Sequence, residues 1–468
     1  MKRAKVIHDN LNAGGGSERL AFATVELLNK MNFVVDLATL QKPNLEKAEE
    51  NFGNDTSHLW KFNQIEILNM YSVLDINEHD IFDIYNKNFE DIYQNYNNKA
   101  NTTFNDKEYD LVINTHGDLF PYYKIDKEYD NNDNKNNTKE NTKNENRFNI
   151  ESPSPINNKI TYCHYPLVPL LIRDRNYLFL EQFFNLFRKF PQKLKDMIAF
   201  KVLEKYNQMI NNTFILTNSK FSKQAIEKIY GKNNNVEATV IYPPVDVNKF
   251  KILNNCNTKN ITNALLKEKD PDSILVISRL SPDKKIENAI EIGKSLKEKE
   301  NIRCYKMTIV GGILPDNQNY LENLNNLIDM YDLKNNIKIK PNVTFDNLQK
   351  LVQQSSVYIH PTPDEPFGMS IVEAMSAGLI PITPNRGGDA EFVPLKYQYQ
   401  STEHATEIIA NILKNNSNNK DLDEERKNIS DSTNKFDKQK YNEEFENVIK
   451  VLLVKKEQTV LQMPKIRI

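Results

Sequence analysis

Between residues 364 and 388 the chain reads DEPFGMSIVEAMSAGLIPITPNRGG. Glu365 stands beside a Pro-Phe-Gly turn, and Glu373 falls in the second turn of the helix that follows, so the two acids can face different parts of one extended ligand. A carboxylate accepts hydrogen bonds in pairs and matches the vicinal hydroxyls of a sugar. Gly368 permits close backbone approach. The helix beginning at Met369 aims free N–H groups and about half a unit of positive charge at whatever docks there, which suits a phosphate. Macrodipole preference alone would also place two acids at a helix start, so the surroundings have to decide.

SRLSPDKK, residues 278–285, directly follows the apolar run ILVI. Arg279 and Lys284 lie across a Ser-Pro-Asp turn, and a guanidinium with an ammonium is a usual means of neutralising a diphosphate. NAGGGSERL, residues 12–20, lies between a first strand and a helix for which Ser17 is the expected N-cap. Its consecutive glycines, including Gly15 and Gly16, are entropically costly and are best explained by a backbone passing close to a ligand. The segment matches neither G-x-x-x-x-G-K-[ST] nor G-x-G-x-x-G. His116 in LVINTHGD and His164 in ITYCHYP each end a strand and could contact a hydroxyl or a developing negative charge, although strand-end histidines are more often structural. No H-E-x-x-H, paired C-x-x-C or G-x-S-x-G occurs, which argues against zincin, zinc-ribbon and α/β-hydrolase chemistry.

These residues need a scaffold that brings them to one edge. In the C-terminal half, short apolar runs at 274–278, 306–310, 337–340, 357–360 and 380–383 alternate with amphipathic segments near 286–299, 318–331, 345–354 and 369–377. This is the pattern of a parallel sheet covered by helices. The N-terminal half repeats it less cleanly, with strands expected at 4–8, 34–40, 110–114, 159–163 and 214–217. NSKFSKQAIEKIYG follows as a helix with Ser219 or Ser222 as N-cap and Gly231 as its stop. Pro243 and Pro244 break regular structure, which places a domain junction near residue 246. The expected units are 1–246, 247–440 and a helix with a tail at 441–468 that packs back across the junction. The fold class is α/β, with two Rossmann-like domains facing a cleft, where ligands bind outside the carboxyl ends of the strands.

In this order, GGGSER, CHYP, NSKFSK, YPPVD, SRLSPDKK, IVGG and EPFGMSIVEAMSAG resemble the retaining GT-B glycosyltransferases of family 4. The likeness covers most of the chain outside the Asn-rich stretch and the extreme C-terminus. CHYP is similar in particular to mannosyltransferases that build the lipid-linked oligosaccharide on the cytosolic face of the membrane. The resemblance implies a donor that is a nucleotide diphosphate sugar, with GDP-mannose favoured, transferred with retention and without a metal or other cofactor. The implied acceptor is a polyprenyl-linked or other glycan. Arg279 and Lys284 would then bind the diphosphate and stabilise it as it leaves. Glu373 would hold the ribose, Glu365 would contact the transferred sugar, and the backbone of Gly368, Met369, Gly15 and Gly16 would line the phosphates and sugar. His164 would sit beside the sugar and acceptor, with His116 on the acceptor side. Lys285 departs from the family, which often has glycine there. A nucleotide-sugar epimerase or a non-catalytic nucleotide-sugar binder is the alternative.

The remaining sequence bounds these readings. At 468 residues there is room for two or three domains. Lys and Arg (61) nearly cancel Asp and Glu (63), so no overall field draws in nucleic acid. Cys163, Cys256 and Cys304 are too few and scattered for a disulfide framework, which with the absence of a secretory-type N-terminus leads to an expected cytoplasmic location. Residues 126–158 read as a disordered Asn-rich insertion, and 414–436 as a solvated surface stretch. Residues 166–203 mix Leu and Phe with Arg and Lys, as expected either of a packed helical pair or of an amphipathic surface lying on an anionic membrane.

Overall fold

The structure, a computed structural model, describes residues 1–39, 41–52, 58, 60–66, 109–117, 158–177, 189–210, 213–234, 236–251, 269–415 and 420–462. The Asn-rich stretch up to Asn157, Cys256, residues 178–188 of the basic segment and the final six residues lie outside these.

The first lobe contains β1 (Arg3–Ile7), α1 (Gly16–Lys30), β2 (Val34–Thr39), α2 (Leu45–Phe52), β3 (Asn63–Glu66), β4 (Leu111–Asn114), β5 (Lys159–Cys163), α3 (Leu167–Arg173), α4 (Gln192–Ile210), β6 (Phe214–Thr217), α5 (Lys220–Asn234) and β7 (Ala238–Val240). Its strands form one sheet in the order β3-β2-β1-β4-β5-β6-β7. The second lobe contains α6 (Val247–Phe250), β8 (Ser273–Ile277), α7 (Ile286–Glu298), β9 (Lys306–Gly311), α8 (Gln318–Met330), β10 (Ile337–Pro341), α9 (Phe345–Gln354), β11 (Val357–Ile359), α10 (Met369–Ser376), β12 (Ile380–Pro384), β13 (Gln398–Tyr399), α11 (Thr402–Asn415) and α12 (Lys420–Ser432). Its sheet runs β10-β9-β8-β11-β12-β13. The strands next to each reversal pair in parallel, Ile7 opposite Asn114 and Leu275 opposite Tyr358.

Central strands of such sheets are buried on both faces and therefore read as unbroken apolar runs. Val6, Ile113, Leu275 and Ile359 are fully buried. Helices cover them with apolar faces at helical spacing; α7 buries Ile286, Ala289, Ile290, Gly293 and Leu296. Both strand orders reverse direction once, between β1 and β4 and between β8 and β11. Those are the switch points at which open α/β sheets hold ligands.

α13 (Lys438–Gln462) returns to the first lobe. Tyr441, Phe445 and Ile449 enter that lobe's core, Tyr441 meets the Thr24 hydroxyl at 2.8 Å, and Lys438 reaches Glu26 at 2.5 Å. At the junction Tyr242, Phe367, Phe392 and Phe436 form an aromatic cluster with ring centroids 4.9–5.8 Å apart.

Three expectations need correction. α1 is capped by Gly15, one residue before its start, and Ser17 lies inside the helix, where its hydroxyl bonds Glu18 at 3.0 Å. α5 is capped by Ser219, whose Oγ accepts the Ser222 N–H at 3.0 Å, but it runs past Gly231. A stop glycine takes a left-handed conformation, and Gly231 has no positive φ. The stretch read as a solvated surface includes α12, where buried Arg426 donates to the carbonyls of Ser356 (2.6 Å) and Gly378 (2.9 Å), the latter just beyond the end of α10. Arg426, with two carbonyl partners, anchors this largely polar helix together with Ile429 in the core and Leu422 packed against it.

Candidate active site

At the C-terminal lobe's switch point, the chain leaves β8 at Ile277 and makes a single turn, Pro282–Lys284, before α7. The two cations of SRLSPDKK separate there. Lys284 turns inward, where its ammonium donates to Glu365 Oε2 at 3.1 Å, and both side chains are largely buried. Arg279 stays on the rim with its side chain 61% exposed, 3.6 Å from Asp283. Lys285 sits in the left-handed region (φ 47°), which explains why a glycine would be at ease at this position.

Glu365 follows β11. His360 Nε2 lies 3.5 Å from its Oε2, and its carbonyl accepts the Gly388 N–H at 2.7 Å. Burial alone would raise this carboxyl's pKa; the His360 ring 3.5 Å away and the charge of Lys284 outweigh it and hold the pKa down at about 2. Glu365 is therefore a fixed anion. Gly368 caps α10 with φ 86°, and a Cβ there would lie 2.4 Å from Ile371 Cδ1, so this entry favours glycine.

Deeper in the same lobe is Asp389, fully buried and with both carboxylate oxygens lacking a hydrogen-bond partner. Burial pushes its pKa up to about 7, and nearby His360 only partly opposes this. Buried His360 likewise has no hydrogen bond at either ring nitrogen. Neither residue stands out in the sequence, because neither belongs to a spaced motif.

Glu373, expected to meet a ribose, is buried in α10 and forms an ion pair with Arg19 Nη1 of α1, across the gap between lobes. Arg19 was not singled out in the sequence; the signal was its place one turn into the helix after the glycines. Close by, a Cβ on Gly16 would stand 2.7 Å from Met369 Sδ. The Gly15 N–H is held by Glu18 Oε2 at 2.7 Å. The lobes also meet where the Phe221 N–H donates to Glu391 at 2.7 Å. Gly15, Gly16, Gly368, Met369, Glu373, Lys284 and Glu365 thus cluster about the entry of α10, whereas Arg279 touches neither acid.

The two expected histidines lie at the other switch point. His164 Nε2 is 3.0 Å from the Thr115 carbonyl, which can only accept, so this nitrogen carries the proton. Burial lowers its pKa to about 4, leaving a neutral ring at physiological pH. His116 Nδ1 lies 2.8 Å from Asp9 Oδ1. Burial acts to raise the Asp9 pKa, but the hydrogen bond and charge of His116 bring it below the usual carboxylate value. His8 packs edge-on against His116 with ring centroids 5.6 Å apart.

Residues 257–435 match the family described as glycosyl transferases group 1. This segment is a group 1 glycosyltransferase domain. Over 308 residues the chain is 24% identical to a GDP-Man:Man(3)GlcNAc(2)-PP-Dol alpha-1,2-mannosyltransferase of Dictyostelium discoideum, spanning 62% of this chain and 59% of that protein. Over 278 residues it is 25% identical to the alpha-1,3/1,6-mannosyltransferase ALG2 of Candida albicans, spanning 52% and 58%. The chain thus spans less than two thirds of the length of these curated relatives. Among solved structures, it resembles a glycosyltransferase from Rickettsia africae (TM-score 0.58, 15% identity, 97% and 98% of the two chains) and Anabaena HepE in complex with UDP-glucose (TM-score 0.59, 15%, 96% and 100%). The fold of the glycosyltransferase domain and its partner lobe is GT-B.

Proposed function

We propose that the protein transfers mannose, with retention, from GDP-mannose to a hydroxyl of a lipid-linked oligosaccharide. The observation that carries this reading is the Lys284–Glu365 pair, a fixed cation and a fixed anion side by side at the switch point of the group 1 domain. The names of the curated relatives favour mannose and a dolichol-linked acceptor.

In this reading Lys284 meets the donor diphosphate, and Arg279 swings in from the rim to share the charge that develops on the leaving group. The two cations do the neutralising, so the transfer needs no metal at the phosphates. Glu365, ionised at any working pH, faces the positive charge that grows at the sugar's anomeric carbon. Glu373 holds the ribose hydroxyls once Arg19 releases it. Front-face attack lets the leaving phosphate take the acceptor's proton, a task that neutral His164 does not have to perform. Acceptor delivery comes from the first lobe, where α3 and α4 expose Leu167, Met197 and Phe200 in the same segment of the chain as the basic residues Arg173, Lys189 and Lys193. Such a surface can rest on anionic lipid. No described helix is long and apolar enough to cross a membrane.

The test is an assay of purified protein with GDP-mannose or UDP-glucose and a lipid-linked oligosaccharide ending in mannose, with mass and linkage analysis of the product. One added hexose from GDP-mannose, lost in Glu365→Gln, is the expected result. An altered donor sugar formed without acceptor would show an epimerase and overturn the reading; transfer from UDP-glucose alone would overturn the choice of mannose. Retention of vesicle binding after neutralising Arg173, Lys189 and Lys193 would remove the membrane surface.

A further inference from the structure

We propose that His8, Asp9 and His116 form a binding site for a divalent transition-metal ion at the switch point of the first lobe. Each residue offers one ligand atom, and the three atoms lie within 4.8 Å of one another. They are brought together by topology. His8 and Asp9 directly follow β1, His116 lies two residues beyond β4, and these strands are parallel neighbours in register.

The hydrogen bonds around His8 fix which of its nitrogens is available. The Thr115 hydroxyl donates to the Ile7 carbonyl at 3.1 Å, so it accepts from His8 Nδ1 at 3.1 Å. With the proton on Nδ1, the neutral ring has its lone pair on Nε2. That nitrogen is fully buried and without a hydrogen bond. An imidazole that donates one N–H to an oxygen and turns the other nitrogen to a shared point is the usual arrangement of a metal-ligating histidine. Asp9 adds the negative charge, with Oδ1 2.8 Å from His116 Nδ1. Glu18 stands behind, its Oε1 3.7 Å from His8 Nε2 while its other oxygen holds the Gly15 N–H. It is a second carboxylate, and a fourth candidate ligand, beside the ion.

Two imidazoles and a carboxylate suit zinc, cobalt, iron, manganese or nickel rather than magnesium or calcium, which prefer oxygen ligands. Three protein ligands leave positions open for water or a substrate oxygen. Because Glu18 connects the group to Gly15, an ion here would stiffen the glycine turn that faces Met369. It lies in the opposite lobe from Lys284 and Arg279, so the inference does not depend on the proposed transfer reaction.

Without an ion, the 2.8 Å contact between His116 Nδ1 and Asp9 Oδ1 is bridged by a proton. Metal binding displaces protons from its ligands, so the two states can be told apart in the unmodified protein. Untagged, chelator-stripped protein is titrated with cobalt(II), followed by its visible absorption and by calorimetry in two buffers of different ionisation enthalpy, with zinc as competitor and magnesium as control. Expected are about one cobalt per chain, displacement by zinc, no response to magnesium and net proton release. Asp9→Asn and His116→Gln, both on partly exposed side chains, are expected to weaken binding by at least about 10–100-fold, the range for losing even an outer-shell partner of a ligand. Absence of saturable cobalt binding to the wild-type chain would overturn the proposal. So would binding that both variants leave unchanged.

Discussion

The two lobes reverse strand order in the same way yet present different chemistry at the reversal. After β8 and β11 the second lobe presents a cation against an anion, Lys284 on Glu365, with both residues neutralised inside their own lobe. After β1 and β4 the first lobe presents imidazoles around a carboxylate, His8 and His116 about Asp9. One backbone topology delivers side chains to equivalent edges, and residue type then decides whether a phosphate or a metal cation is the better guest. Glu373 belongs to neither scheme, because its partner Arg19 comes from across the gap. The two edges are therefore joined electrostatically as well as by α13.

Removing the internal cation should break the second lobe's scheme most severely. Lys284→Ala is expected to lower kcat up to about a thousandfold, or ~4 kcal/mol, the effect of losing a fixed group that stabilises developing charge. Arg279→Ala should mainly raise the donor KM, because this exposed side chain has to be ordered by the ligand. Steady-state kinetics with varied donor check both. Equal losses in kcat would remove the distinction between an inward and a rim cation.

The acids of that lobe should respond to pH in opposite directions. Asp389 titrates at about 7 in the fold against an unfolded value near 4, so the folded state binds its proton more tightly between these values. Its effect on stability is therefore favourable at low pH and is lost as pH rises from about 4 to 7, by an amount on the order of a few kcal/mol. Glu365, held at about 2, contributes stability above its unfolded pKa near 4.5 that is lost as pH falls towards 2. Urea unfolding of wild type and Asp389→Asn across pH 4–8 should show the first slope only in the wild type. Parallel curves would refute the assignment.

The link between lobes gives a smaller effect. Arg19→Ala leaves buried Glu373 without its cation and should cost about 2 kcal/mol, less than for a fully buried pair because part of Arg19 reaches solvent. A double-mutant cycle with Glu373→Gln isolates the pair, and a coupling near zero would show that the lobes are held by α13 and the junction aromatics alone. The same cycle bears on donor binding. Glu373→Gln should weaken nucleotide binding, seen as a smaller ligand-induced rise in Tm, whereas Glu365→Gln should chiefly lower turnover.

Much of the second lobe was legible in the sequence, because its strands are unbroken apolar runs and its site residues follow strand ends in short spaced motifs. The central strands of the first lobe were legible for the same reason. The edge strands β3, β7 and β13, of two to four residues, were not, since so short a pairing leaves no period to read. Lys284 and the acid pair of EPFGMSIVE could be located, but the further groups beside those acids could not. Arg19, His360 and Asp389 are single residues whose roles depend on what tertiary packing sets beside them. Ser17 failed as a cap because Glu18 reaches back to the Gly15 N–H and so satisfies the helix end two residues earlier.

The smallest expected effect concerns the turn that aims Lys284. Lys285 holds φ 47° without being a glycine, a conformation that costs an L-residue roughly 1–2 kcal/mol. Glycine would relieve that strain but would add freedom to the unfolded chain worth about 0.4–1 kcal/mol. Lys285→Gly should therefore stabilise the protein by about 0–1.6 kcal/mol in urea unfolding. The turn's hydrogen bonds, Lys284 N–H to Ser281 and Thr362 hydroxyl to the Lys284 carbonyl, do not involve the Lys285 side chain, so the Lys284–Glu365 pair should keep its geometry and kcat should stay put. A fall in kcat with unchanged stability would instead mean that the strained residue itself holds Lys284 inward, making strain and not the Glu365 charge the reason one cation of SRLSPDKK faces the site and the other the rim.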